Sequence, residues 1–260
     1  MLLYYYAQKK EEEKMNQNVN KKIGKEEVAV LMLERMKREI EKTKERIVFR
    51  LVDREVFGEG LDDLVSVDAS NGFSLIFAVC FGDCYMYINK ELASSLELDE
   101  EEIYELSMVN TPRINPATFQ DMTSLMVKMF NDFEEVLPGE AACSAEEFLK
   151  EFEAPLLDEL TEVDRNADLY ILSNKASCNG AASIYYPGVK KKIAELLDSE
   201  YYVLPCSRHE VLILPCSSSD SAEVLKGIVR EANRECLKED EVLSDTVLRY
   251  DRKLNALVKA

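Results

Sequence analysis

Apolar residues recur along this chain at two spacings, one typical of helices and one typical of strands. Residues 25–44 have the helical spacing, with charged residues on the opposite face. Their apolar stripe consists of Val28, Leu31, Met32, Met36 and Ile40. Helical patterns also cover residues 89–96, 99–109, 118–137, 145–152, 189–197 and 221–236. Asp99 followed by Glu102 matches the capping box, so we predict a helix that begins directly after Asp99.

Short apolar runs rich in strand-forming residues lie between these helical segments. They predict strands at residues 47–52, 64–68, 73–81, 84–88, 170–172, 181–186, 201–204, 211–214 and 243–250. Several are separated by pairs of turn residues, namely Asn71-Gly72, Gly82-Asp83 and Asn179-Gly180. The runs 201–204 and 211–214 are apolar on both faces, which is typical of central strands. The run 243–250 is interpreted as an edge strand, and the tail from residue 252 is expected to fray.

These elements predict an α+β fold, in which a mainly antiparallel sheet built from hairpins is covered by amphipathic helices. Residues 165–260 follow the order β-β-α-β-β-α. Residues 138–164 are dense in Glu and Asp, and we predict that they connect this C-terminal half to an N-terminal α+β half at residues 25–137. Residues 1–24 are predicted to be a flexible leader. The pattern leaves open whether the two halves share one sheet and form one continuous domain.

Four segments of the chain resemble a bacterial domain-of-unknown-function family that is common in gut clostridia. They read TPRINPA (111–117), SNKASCNGAASIYYPG (173–188), LPCSRHEVLILP (204–215) and VLSDTVLRYD (242–251). The resemblance extends from about residue 45 to residue 253. Cys206 and Ser207 stand where the family tends to have two serines, and Arg208 replaces an apolar residue. The resemblance implies a shared fold and a bacterial, cytoplasmic origin, but it implies no activity.

The amino-acid composition indicates which classes of molecule the protein can bind. The chain has 260 residues, of which 47% are hydrophobic, and this is enough to bury a core. Its 50 acidic and 32 basic residues give a net charge of −18, which disfavours direct binding to nucleic acid. We interpret the acidity as a source of solubility. The alternative is an acidic decoy that docks on a nucleic-acid-binding protein in place of DNA.

The N-terminal sequence and the cysteines favour a cytoplasmic protein without a metal. The stretch MLLYYYAQKKEEEK lacks the long apolar core of a signal peptide, and no run approaches the ~20 apolar residues of a membrane span. The seven cysteines form no C-x-x-C pair, and their odd number favours reduced thiols. With a single histidine in the chain, we predict no zinc site and no cofactor.

His209, the only histidine, is the first candidate for chemistry. A histidine can act as a general base, and Cys206 and Ser207 are potential nucleophiles close to it in the sequence. Glu210 is the adjacent carboxylate, but neighbouring residues of a strand point to opposite faces. No nucleophile-elbow pattern precedes this segment. A hydrolase or transferase that uses His209 with Cys206 or Ser207 is therefore an alternative, and a turn or packing role for His209 is favoured.

The turn at residues 174–180 is the second candidate. Asn174, Lys175, Asn179 and Gly180 could present backbone N–H groups and a lysine to an anion, although no P-loop or dinucleotide-binding spacing is present. If this turn and the loop at 205–210 are neighbours, they would form one shared site that also includes His209 and Glu210. A third polar segment, with Asn110, Thr111, Arg113 and Asn115, is interpreted as a loop fixed by two prolines.

No motif in the chain identifies a particular reaction, so the functional hypothesis rests on the classes of function that the sequence disfavours. We favour a non-enzymatic binding or regulatory module that acts on an unknown protein or small ligand. The enzyme and the acidic decoy are the two alternatives.

Overall fold

The computed structural model describes residues 25–82, 84–126, 154–217 and 221–260. The chain divides into two compact units, Met1–Glu45 and Arg46–Ala260. The described part of the first unit is helix α1, Lys25–Lys44, which has the predicted bounds. Lys42 and Lys44 lie in its last turn, where positive charge complements the helix dipole. The predicted leader, residues 1–24, lies outside the described residues.

The second unit begins with a four-stranded antiparallel sheet. Its strands are β1 (Ile47–Asp53), β2 (Ser66–Ser70), β3 (Phe73–Phe81) and β4 (Cys84–Tyr87). Strand β3 pairs with β1 along one edge, and with β2 and then β4 along the other. Its sequence FSLIFAVCF is apolar except for Ser74, and its first eight residues are buried. This is the pattern expected of a central strand.

A six-stranded sheet follows, in the order β10-β9-β7-β8-β6-β5, and all of its neighbours are antiparallel. Its strands are β5 (Ala117–Asp121), β6 (Tyr170–Asn174), β7 (Tyr201–Leu204), β8 (Val211–Pro215), β9 (Leu248–Asp251) and β10 (Ala256–Lys259). The prediction that 201–204 and 211–214 are central strands is confirmed, because β7 and β8 occupy the middle of this sheet. Strand β5 comes from the predicted N-terminal half and joins the C-terminal strands.

Short and medium helices connect and accompany the strands. Among the described residues of the second unit, α-helices include α2 (Arg54–Phe57), α3 (Lys90–Ser95), α4 (Glu100–Ile114), α5 (Val189–Leu197) and α6 (Ala222–Cys236). In the same residues, 3-10 helices lie at Gly58–Leu61, Leu157–Glu159 and Gly180–Tyr185. The predicted α+β class with mainly antiparallel pairing is confirmed. The capping box is confirmed too, since Asp99 and Glu102 bond reciprocally at the start of α4.

One core cluster takes side chains from both sheets of the second unit. Aromatic pairs support it, with ring centroids 5.2 Å apart for Phe119 and Tyr170 and 5.1 Å apart for Tyr201 and Tyr250. A smaller cluster, formed by Leu204, Leu225, Val229 and Val247, includes the buried face of α6. None of the described helices combines the length and apolarity that crossing a membrane requires.

The predicted helix at 118–137 is wrong at its start. Residues 117–121 form β5, which pairs with β6 from Ala117 and Asn174 to Asp121 and Tyr170. A helix begins only at residue 122, and the rest of the prediction lies outside the described residues. The apolar spacing was compatible with either state. Pairing with β6, which buries Phe119 completely, favours the strand.

The predicted proline-fixed loop at 110–116 is also wrong over most of its length. Helix α4 continues through Pro112 and ends at Ile114. A proline within a helix removes one backbone hydrogen bond, and here it does so only in the last turn. Thr111 secures that turn, because its hydroxyl donates to the Ser107 carbonyl at 2.7 Å and accepts from the Phe49 N–H at 3.0 Å.

The predicted strand at 181–186 is a 3-10 helix, Gly180–Tyr185. The ladder position beside β6 is taken by β8, where Tyr170 faces Ile213. The small residues of this segment instead pack against the loop at 205–210, and Ala181 N–H donates to the Arg208 carbonyl at 3.2 Å.

Two expectations about the C-terminus are corrected. The regular strand that overlaps 243–250 is β9 (Leu248–Asp251), and it is not at an edge, because β10 and β7 flank it. The tail does not fray: residues 256–259 form β10, with Leu257 buried against the core. A tight turn closed by Asn255, at a φ of 49°, returns the chain and makes this pairing possible. The predicted helix at 145–152 and most of the acidic connector lie outside the described residues.

Candidate functional site

The turn at 174–180 and the loop at 205–210 lie side by side at one end of the six-stranded sheet. Strand β6 ends where β8 begins, because the two strands are antiparallel neighbours. The Ser173 hydroxyl donates to the His209 carbonyl at 2.8 Å, and the Asn179 N–H donates to His209 Nδ1 at 3.4 Å. The two candidate segments therefore form one continuous surface around His209.

Gly180 permits this close approach. A Cβ atom at this position would lie 2.2 Å from Ser173 Oγ, 2.4 Å from the His209 carbonyl oxygen and 2.8 Å from the Asn174 nitrogen. Two of these three atoms belong to the backbone, so neither can rotate away. Any side chain at residue 180 would push the turn and the loop apart.

Asn174 organises the turn from inside. Its side chain is buried, with Nδ2 donating to the Cys178 carbonyl at 3.0 Å and Oδ1 accepting from the Cys178 N–H at 3.3 Å. Asn179 has left-handed backbone angles, with a φ of 53°, which asparagine tolerates better than most residues. Lys175 is exposed. The turn is thus held by internal hydrogen bonds.

The loop at 205–210 is fixed on its other side by residues 241–244. Backbone N–H groups of Leu243 and Ser244 donate to the Cys206 and Pro205 carbonyls at 2.7 and 3.0 Å. The Arg208 N–H donates to the Glu241 carbonyl at 2.9 Å. These bonds place Arg208 on a defined backbone.

A cleft of about 260 Å³ lies beside these segments. It is lined by residues of β1, α2 and β4, by Asn179 and Arg208, and by Glu239, Asp240, Val242 and Leu243. The charged and polar groups on its wall are Arg50, Asp53, Tyr87, Asn179, Arg208, Glu239 and Asp240. We call it the Arg50–Arg208 cleft.

Arg50 lies in the middle of β1, opposite Ile76 of β3. Its guanidinium carbon is 3.8 Å from the centroid of the Tyr85 ring, a cation–π contact, and Nη1 donates to the Tyr87 hydroxyl at 2.8 Å. Its Nε is buried, and no group of the described residues accepts a hydrogen bond from it. A buried donor left without a partner costs about 1–3 kcal/mol.

Arg208 brings a second positive charge to the same cleft. Its Nε is 3.2 Å from His209 Nε2, and Nη2 is 3.4 Å from an Asp240 carboxylate oxygen. Both members of this ion pair are substantially exposed, so the pair is weak and easily exchanged for another anion.

Burial, and after it the positive charge of Arg208, lower the pKa of His209 below its ordinary value. The imidazole is therefore neutral at pH 7. A neutral imidazole has one acceptor nitrogen, so it accepts either from Asn179 or from Arg208 at any moment. In the tautomer with the proton on Nδ1, Nε2 accepts from Arg208 Nε, and His209 supports the Arg208 side chain.

Titration of His209 tests this arrangement, because no other histidine contributes an imidazole signal. We expect its NMR-detected pKa to lie below about 6.5, and Arg208→Gln to raise it by removing a nearby charge. The lowered pKa means that the unfolded chain binds the proton more tightly than the native protein. Native stability should therefore fall as the pH drops below about 6.5. A pKa at or above that value would contradict the packing described.

The nucleophiles near His209 are engaged elsewhere. Burial raises the pKa of Cys206 to about 11, so its thiol is protonated at neutral pH. Ser207 is buried, and its hydroxyl accepts from the His209 backbone N–H at 2.9 Å. Burial also raises the pKa of Glu210, whose carboxylate interacts with the Ser207 side chain. Among the described residues, no nucleophile is hydrogen-bonded to the imidazole.

Other candidate groups have structural roles. Thr111 connects α4 to β1, and the Asn115 carbonyl accepts from the Tyr186 hydroxyl at 3.1 Å. The six cysteines within the described ranges are free thiols. In the same ranges, no group of three or more His, Cys, Asp or Glu residues is placed to hold a metal ion.

Sequence reasoning missed Arg50, Tyr87 and Asp240. Arg50 did carry a signal, since it is a lone charge inside the apolar strand IVFRLVD. Tyr87 and Asp240 carried none, because only the folded chain brings β4 and the segment after α6 to the same cleft.

Comparison with known proteins identifies a family for this chain. A model of a family of unknown function, DUF5688, matches residues 1–252. This confirms the resemblance to a domain of unknown function. Neither the curated proteins nor the solved structures contain a match.

Proposed function

The chain belongs to the DUF5688 family, and we propose that it is a non-enzymatic binding module whose Arg50–Arg208 cleft takes a small ligand that carries an anionic group. One observation carries this proposal. Two guanidinium groups line a single cleft, and one of them has a buried Nε without a hydrogen-bond partner among the described residues.

The position of Arg50 favours an oxyanion. Contact with the Tyr85 ring covers one face of the guanidinium, its Nη1 is bonded to the Tyr87 hydroxyl, and its Nε is buried, which leaves Nη2 as the other nitrogen without a bond to a described residue. Arginine edges match the two oxygens of a carboxylate or phosphate group. Such a ligand would give Nε the acceptor that it lacks if the Arg50 side chain shifts to bring this buried nitrogen to the cleft, and the hydrogen bond gained would offset the shift.

The size of the cleft favours a small molecule over a protein segment. Its volume of about 260 Å³ is below the range of roughly 300–1,000 Å³ that is usual for sites of drug-sized ligands. A second pocket that borders Arg50 measures about 10 Å³, which is room for about one water molecule. The ligand therefore belongs in the larger cleft.

The surroundings of His209 support a role without catalysis. The Cys206 thiol is held protonated, and the Ser207 hydroxyl is bonded to backbone rather than to the imidazole. The hydrolase or transferase and the acidic decoy stay predictions, and neither gains support from a specific contact.

Arg50→Lys is the direct test. Lysine keeps the charge but loses Nε and the bidentate edge, so affinity for acetate and for inorganic phosphate should fall about tenfold or more. With ¹⁵N-labelled arginine, one Nε–H signal should be absent from this variant, and in the wild type it should shift on addition of either anion.

The matched control is Arg234→Gln. Arg234 is exposed on α6 and pairs with its neighbour Glu235 at 3.1 Å, away from the residues that line the cleft. This change should leave anion affinity unaltered. Thermal unfolding curves would first establish that both proteins are folded. If the wild type and Arg50→Lys then bound the anions with equal affinity, the proposal would be refuted.

A further inference from the structure

We infer that the ligand of the Arg50–Arg208 cleft is a small zwitterion of the amino-acid type. Its carboxylate would bind Arg50, and its ammonium group would bind Glu239. This inference rests on the proposed function, and it adds the chemical class of the ligand.

The charge on the cleft wall favours a ligand with both signs. Two cationic side chains line the cleft, but so do three acidic ones. A phosphate dianion would therefore meet a surplus of negative charge locally, within a chain of net charge −18. A zwitterion has no net charge, so it escapes this repulsion and can use both kinds of wall group.

Of the three acidic residues, Glu239 is the one left open for a cation. Asp53 already accepts from the Glu55 N–H at 2.9 Å and from the Ser244 hydroxyl at 2.6 Å. Asp240 lies beside Arg208 at 3.4 Å. Glu239 is exposed on the same wall, and no other described residue hydrogen-bonds or ion-pairs with it.

Arg50 suits a planar carboxylate. Stacking on Tyr85 fixes the plane of the guanidinium, and the Tyr87 hydroxyl occupies Nη1. The edge formed by Nε and Nη2 has two parallel N–H donors, the geometry in which arginine binds a carboxylate through both oxygens. Because Nε is buried, this edge meets the ligand only after a shift of the Arg50 side chain, and the new hydrogen bond to Nε offsets the cost of that shift.

Apolar groups line the rest of the cleft and suit a hydrocarbon side chain. Val56 and Phe57 of α2 and Val242 lie on its wall, and Val56 is 59% exposed. Covering such a side chain with an aliphatic or aromatic group is favourable by about 25 cal/mol per Å² of apolar area buried.

Matched small molecules separate the two charges of the ligand. Leucine, 4-methylpentanoate and 3-methylbutylamine share the same branched hydrocarbon side chain. Leucine carries both charged groups, 4-methylpentanoate carries only the carboxylate, and 3-methylbutylamine carries only the ammonium group. Calorimetry with the full chain should show leucine binding at least tenfold more tightly than 4-methylpentanoate, and the amine binding weakest. Alanine with propanoate, and phenylalanine with 3-phenylpropanoate, extend the comparison to other side-chain sizes.

Glu239→Gln tests the ammonium site. It should weaken amino-acid binding about tenfold and leave 4-methylpentanoate unchanged or slightly tighter. Glu235→Gln removes the same charge from exposed α6, outside the cleft lining, and should alter neither.

The outcomes distinguish failure of the zwitterion inference from failure of the proposed anion site. If each acid lacking the ammonium group binds as tightly as its amino acid, or if phosphate binds more tightly than any amino acid, the zwitterion inference is wrong and the anion site stands. If amino acids, carboxylates and phosphate all fail to bind, the proposed function fails, and this inference fails with it.

Discussion

Gly180→Ala is expected to lower the free energy of unfolding by about 3 kcal/mol, a large effect for the addition of one methyl group. The new Cβ would lie 2.4 Å from the His209 carbonyl oxygen and 2.8 Å from the Asn174 backbone nitrogen. Relief of these contacts requires the turn at 174–180 to move off the loop at 205–210. Urea unfolding followed by circular dichroism measures the change in free energy.

Gly227→Ala is the matched control for this substitution. Gly227 lies within α6, and a Cβ there would meet no atom within 4 Å. Alanine is the better helix former, so stability should rise by about 0.5–1 kcal/mol. Gly180→Ala should also lower anion affinity, because Asn179 and Arg208 stand on the two segments that are pushed apart. If Gly180→Ala were as benign as the control, the close packing of the two turns would be wrong.

Local chemistry explains why much of the fold was predictable. Strand β3 is a nine-residue run, rich in aromatic and β-branched residues, between turn residues, and its bounds were predicted without error. The capping box at Asp99 and the helix α1 are likewise determined by neighbours in sequence. In each case the interactions that define the element lie within a few residues along the chain.

The wrong predictions occur where distant partners decide the structure. Residues 117–121 become a strand because β6, some 50 residues later, pairs with them. Gly180–Tyr185 becomes a 3-10 helix because β8 occupies the position beside β6. Helix α4 continues through Pro112 because Thr111 bonds to β1. The apolar pattern of each segment was compatible with both outcomes, and no signal within the segment selected one.

The part of the candidate site that depends on local turn chemistry was predictable, and the part that depends on distant partners was not. Turn chemistry marked Asn174, Asn179 and Gly180, and the antiparallel order of strands brought their turn to His209. Arg50 is different, because its surroundings come from Tyr85 and Tyr87, more than 30 residues later. A lone arginine inside an apolar strand needs such partners, and this is the rule by which the residue could have been found.

Phe49→Ala is expected to lower the free energy of unfolding by about 3–5 kcal/mol, the usual range for truncating a buried phenylalanine to alanine. Phe49 lies beside Arg50 on β1 and is 2% exposed. Its ring meets the Tyr186 ring edge-on, with centroids 5.6 Å apart, and so joins the four-stranded sheet to the segment that follows the turn at 174–180. The substitution should therefore lower anion affinity as well as stability.

Phe81→Ala gives the comparison. Phe81 is the last residue of β3 and has 47% of its surface exposed, so this substitution should lower the free energy of unfolding by less than about 1 kcal/mol. A double-mutant cycle between Phe49→Ala and Tyr186→Ala should yield a coupling energy of about 0.5–1.5 kcal/mol, as for other aromatic pairs. Because Tyr186 also holds the Asn115 carbonyl, this coupling measures the ring contact separately from the hydroxyl. If Phe49→Ala and Phe81→Ala lowered the free energy of unfolding equally, Phe49 would not be a core residue. The claim that its packing holds β1 in place as a wall of the cleft would then be wrong.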